Sequence, residues 1–66
     1  MEPKHPNITV RLTGEDSNVF NIIGKVSKAL KRSGLRAEAE EFTGKAFKSG
    51  SYDEVLQLCM MTVDVT

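Results

Sequence analysis

The sequence predicts a small α+β domain in the order β-α-α-α-β: a helical hairpin plus a third helix packed on a two-stranded antiparallel sheet. Three observations predict it. Residues 7–14, NITVRLTG, alternate apolar Ile8, Val10 and Leu12 with polar Thr9, Arg11 and Thr13, the period-two pattern of a strand with one wet face. Through the middle of the chain apolar residues recur at three-and-four spacing, as on helices with one buried stripe. At the end the period returns to two, with Met61, Val63 and Val65 set against Thr62, Asp64 and Thr66.

The first strand cannot stand alone, because its backbone donors and acceptors need partners from this chain or from a second copy. After it, TGEDSN combines a turn with a helix start: Gly14 supplies conformational freedom, and Asp16 or Ser17 can accept from the first exposed amides. Glu15 and Asp16 also suit the positive end of a helix dipole. In VFNIIGKVSKALKRSG, Val19, Ile22, Ile23, Val26, Ala29 and Leu30 form one stripe, with Lys25, Lys28 and Arg32 on the other side. Gly24 inside this helix implies either a close neighbouring backbone or a tolerated weak point. Lys31 and Arg32 suit the negative end, and Ser33-Gly34 reads as its C-terminal cap.

A second helix of about twelve residues follows from the stripe Leu35, Ala39, Phe42 and Ala46. The short connection makes the two helices an antiparallel hairpin. Ser51 followed by Glu54 is a capping-box pattern opening a third helix, with Tyr52, Val55, Leu56, Cys59 and Met60 on one face. At about Met61 the period changes to that of a strand, the alternative being a helix that runs on to Val63. The expected core is Ile8, Val10, Leu12, Phe20, Ile23, Val26, Leu30, Phe42, Val55, Leu56, Cys59 and Val63.

With 66 residues the chain is expected to form one domain over 7–66, preceded by a flexible N-terminal tail over 1–6. At that size folding buries only about 60% of the unfolded chain's surface. The opening MEPKHPN lacks the apolar run of a signal peptide, and no segment reaches the roughly 18 apolar residues of a membrane span, so a cytoplasmic protein is expected. Cys59, the single cysteine, allows no internal disulfide and reads as a small packed hydrophobe.

Little in the chain suggests catalysis. His5 lies between Lys4 and Pro6 in the expected tail, where nothing orients it. Glu38, Glu40 and Glu41 read as a solvated helix face, since no histidine or second carboxylate cluster completes a metal shell. GEDSN lacks the alternating ligands of a calcium loop, and the glycines do not gather into a phosphate-cradling loop. The expectation is therefore no enzyme, no metal, no cofactor and no small-molecule substrate.

Charge is the uneven feature. The chain is neutral, yet residues 1–36 hold seven Lys and Arg against three acids, a balance of +4, and residues 37–66 hold two Lys against six acids, −4. This means either internal balance on a solvated surface or a basic face for an acidic partner or a phosphate backbone.

The order strand, helix, turn, helix, with ITVRL in the strand, resembles the ribbon-helix-helix repressors. That resemblance implies two copies that pair their strands, with Thr9, Arg11 and Thr13 entering the major groove, while Lys25, Lys28 and Arg32 could track phosphates. Over nearly the whole chain, ITVRLTGEDSNVFNIIGKVSKALKRSG followed by EEFTGKAFKSGSYDEVLQLCMMTVDV is similar to short hypothetical proteins of bacteria and their phages or mobile elements, a group that implies no assigned activity. Two functions are carried forward: a non-enzymatic module that meets a protein partner or itself through the basic helix face or an exposed sheet edge, and a dimeric DNA-binding protein.

Overall fold

The structure is a computed structural model, and it describes residues 2–12 and 18–66. Strand β1 spans His5–Val10, starting two residues before the expected Asn7. Ile8, Val10 and Leu12 face inward and are buried, while Thr9 and Arg11 face solvent. Pro6 falls where the strand's pairing loses register, between His5 and Thr9; proline donates no N–H, so such an irregularity is where a strand accommodates it.

Helix α1 spans Val19–Arg32, capped by Asn18, whose Oδ1 accepts from the Phe20 N–H at 2.8 Å. Asp16 and Ser17, the caps suggested by sequence, lie outside the described residues together with Thr13, Gly14 and Glu15. The helix ends in a Schellman arrangement: the Leu35 N–H donates to the Leu30 carbonyl at 2.9 Å and the Gly34 N–H to the Lys31 carbonyl at 3.0 Å. Gly34 takes the left-handed conformation that this ending requires, at φ 81°. Leu35 then folds back against the core beside Leu30.

Helix α2 spans Arg36–Lys48 and helix α3 spans Tyr52–Thr62. Ser51 caps α3 by accepting from the Glu54 N–H at 3.2 Å. The Glu54 carboxylate returns to the Gly50 N–H at 2.6 Å, one residue earlier than the usual capping box. Strand β2, Val63–Val65, follows α3 without a loop. Both sequence alternatives for this end are partly realised, because the helix continues through Met61 and Thr62 before the chain extends.

The sheet corrects one expectation: β1 and β2 pair parallel, not antiparallel, with His5 opposite Val63, Thr9 opposite Asp64 and Val10 opposite Val65. The reason lies in parity. Three helices, each reversing the chain against its neighbour, return it to the side from which β1 set out, so β2 runs in the same direction as β1. Parallel neighbours need a crossover connection, and the three-helix segment supplies it. Beyond the ladder, the Leu12 N–H donates to the Thr66 carbonyl at 2.9 Å and the Thr66 N–H to the Val10 carbonyl at 3.0 Å.

The helices cover the inner face of this ribbon. The core joins Ile8, Val10, Leu12 and Val63 to Ile22, Ile23, Val26, Leu30, Ala39, Phe42, Ala46, Val55 and Cys59. Ala39 and Ala46 keep the inner face of α2 thin. Two expected core residues differ: Phe20 is 67% exposed, and Leu56 is only partly buried. Phe20 lies one position past Val19 on the first turn of α1, off the stripe that Ile22 and Ile23 bury. Met61 belongs to α3 and faces solvent instead of lining the sheet.

Candidate functional site

The feature that gathers the charged residues is a groove between the outer edge of β1 and α1, lined by Thr9, Val10, Arg11, Lys25, Lys28, Ala29 and Arg32. Strand alternation places Thr9 and Arg11 on the wet side. On α1, positions 25, 28, 29 and 32 fall on one side of the helix by the three-and-four rule, with Ala29 as the low point between longer side chains. Thr9, Arg11, Lys25, Lys28 and Arg32, separated by up to 23 residues in sequence, therefore converge around one depression. Thr13, the sixth residue of that set, lies outside the described residues.

Among the described residues that line this groove there is no carboxylate. Two ion pairs lie outside it: Lys4 to Glu38 at 2.9 Å and Lys45 to Glu41 at 3.3 Å. Neither pair involves Arg11, Lys28 or Arg32. A second hollow shares Lys25 and Lys28 and continues past Leu12 to Phe20, Asn21, Ile22 and Gly24.

The groove also adjoins a sheet edge. β1 has β2 on one side, and among the described residues no strand lies on the other. The Val10 carbonyl and the Leu12 N–H are directed at β2; because successive residues of a strand alternate, the backbone groups of Thr9 and Arg11 face the opposite edge, into the groove. On the outer face of the sheet, the Thr9 hydroxyl donates to the Asp64 carboxylate at 3.5 Å, which sets an acid beside the residues of the ribbon-helix-helix reading.

His5 acquires a partner that its flanking prolines gave no hint of. Its Nε2 and the Lys4 Nζ both lie 2.9 Å from the same Glu38 oxygen, pinning the start of β1 to α2. The Lys4 hydrogen bond, with that of His5 second, holds the Glu38 carboxyl below its ordinary range, and Glu38 in turn raises the Lys4 ammonium. Cys59 is fully buried, and loss of water pushes its thiol up to about 11; it is a packed thiol with little thiolate at neutral pH.

Sequence reasoning also missed an apolar patch at the start of α1. Phe20 and Phe47 are exposed, with ring centroids 5.8 Å apart, and border a hollow shared with Tyr52 and Val55. The signal available in sequence was Phe47 standing one residue off the Phe42–Ala46 stripe. Among the described residues no cluster of His, Cys, Asp and Glu could hold a metal ion, and no helix is long and apolar enough to cross a membrane. Compared with models of protein families, with curated proteins and with solved structures, the chain matches none.

Proposed function

We propose that this chain is a non-enzymatic interaction module that meets an acidic region of another protein through the groove between β1 and α1. The observation that carries the reading is the convergence of Arg11, Lys28 and Arg32 on one depression, with no carboxylate among the described residues that line it. A cleft lined by several cations concentrates field and draws an oppositely charged partner. Arg11 stands 14 positions before Lys25, the nearest groove cation of α1, so the cleft exists only in the folded chain.

Two observations favour a protein partner over the DNA-binding dimer. Asp64 sits beside Thr9 on the outward sheet face, where a ribbon entering the major groove would meet phosphates and base edges. Pairing the open edge of β1 with its own copy would also bring two sets of Arg11 and α1 cations together, and like charges facing each other across strands are destabilising.

Fluorescence anisotropy with a labelled Glu-rich peptide and a labelled DNA duplex tests the reading. The peptide is expected to bind in a salt-sensitive manner, and the pair Lys28→Glu with Arg32→Glu is expected to weaken it by about tenfold or more. Tighter binding of the duplex, lost in the same double variant, would replace this reading with the nucleic-acid one. Peptide binding unchanged by the double variant would remove the groove from the account.

A further inference from the structure

We infer that the acidic partner segment binds as an added β-strand along the open edge of β1. This rests on the acidic-partner reading above and specifies how the segment is held.

The backbone of β1 favours an extended partner. The N–H and C=O groups of Thr9 and Arg11 face away from β2 into the groove, because the Val10 carbonyl and the Leu12 N–H are used toward Thr66. An edge of this kind offers donors and acceptors in alternation, and only another extended peptide returns both. A phosphate backbone supplies acceptors alone and leaves the Thr9 and Arg11 carbonyls without a donor.

The spacing of the α1 cations fits a strand as well. Lys28 and Arg32 are four helical residues apart, a rise of about 6 Å along α1. Side chains on the same face of a strand repeat at about 6.6 Å. A strand laid in the groove with acids at alternate positions therefore offers one carboxylate to each of these cations, while Ala29 between them leaves room for the added backbone. Its intervening residues face away from α1 and carry no charge requirement. The partner class is thus an extended segment with Glu or Asp at every second residue. A second copy of β1 does not meet this description, since its alternate residues are Ile8, Val10 and Leu12 on one face and Thr9, Arg11 and Thr13 on the other, with no acid among them.

A short capped peptide alternating Glu and Val tests the mode, with two twins of identical charge in which the backbone nitrogens of either the Glu or the Val positions are methylated. In an added strand only one of the two alternating sets faces β1. One twin is expected to lose about tenfold or more in affinity and the other to keep it, since the lost bonds are those to Thr9 and Arg11. In the complex with the unmodified peptide, exchange of the Thr9 and Arg11 amides is expected to slow, while that of Leu12 stays as it was. Equal binding of both twins, or equal loss from both, overturns strand addition and leaves the acidic-partner reading standing. Absence of binding by the unmodified peptide overturns both.

Discussion

At the scale of single residues, fold and surface divide along burial rather than residue type. Leu30 is fully buried, so Leu30→Ala is expected to lower stability by about 2–5 kcal/mol. Phe20 is a larger apolar residue but is mostly exposed and touches Phe47; Phe20→Ala is expected to cost no more than about 1.5 kcal/mol, the worth of an aromatic pair. Chemical denaturation of both variants orders them, and the reverse order would return Phe20 to the core. Nothing lies within 4 Å of a Cβ placed on Gly24, so Gly24→Ala is expected to stabilise α1 by about 0.5–1 kcal/mol. Its place in the helix is tolerance, not close packing. Glu38 titrates lower in the folded chain than its ordinary 4.5. Its contribution is therefore present above pH 4.5 and fades as pH falls through the folded value. Thermal melts across that range are expected to show a gap between wild type and Glu38→Gln near neutral pH that closes under acid. His5 and Glu38 stand 33 positions apart, which is why local sequence reading finds neither as the partner of the other.

At the scale of elements, what depends on a few neighbouring residues is legible. The stripe Ile22, Ile23, Val26 and Leu30 and the ending at Gly34 both follow from short-range pattern, and both occur as read. Ser51→Ala removes the side-chain acceptor at the start of α3 and is expected to cost about 1 kcal/mol by denaturation. Gly34→Ala forces a side chain into left-handed backbone and is expected to cost about 1–2 kcal/mol. The α3 boundary is less legible, because Thr62 is β-branched but sends its hydroxyl to the Leu58 carbonyl at 2.6 Å and stays helical. Tertiary placement, not propensity, decides where the helix stops. Strand direction is hidden for another reason: it depends on how many times the chain reverses between the strands, a property of the whole path and of no local window.

At the scale of the molecule, the two ends of the chain close on each other and the sheet becomes the seal of the fold. Removal of residues 63–66 takes away fully buried Val63 and the bonds of Thr66 to Val10 and Leu12. In a domain of this size stability is marginal, so the truncated chain is expected to lose its cooperative melt by circular dichroism. The candidate groove was legible only as a set of residue types. Arg11, Lys28 and Arg32 stood out by charge, but their convergence needed α1 to pack beside β1, and the open edge needed β2 to occupy the other side. Both functional readings rest on that asymmetry of the sheet, with one edge closed by the chain's own terminus and the other facing a basic groove. Amide hydrogen exchange on the free protein, resolved by residue, measures it directly. Slow exchange is expected at Leu12 and Thr66, whose N–H groups are bonded across the sheet, and fast exchange at Thr9 and Arg11. Protected Thr9 and Arg11 amides in the free chain would contradict it, because the edge offered to a partner would already be filled.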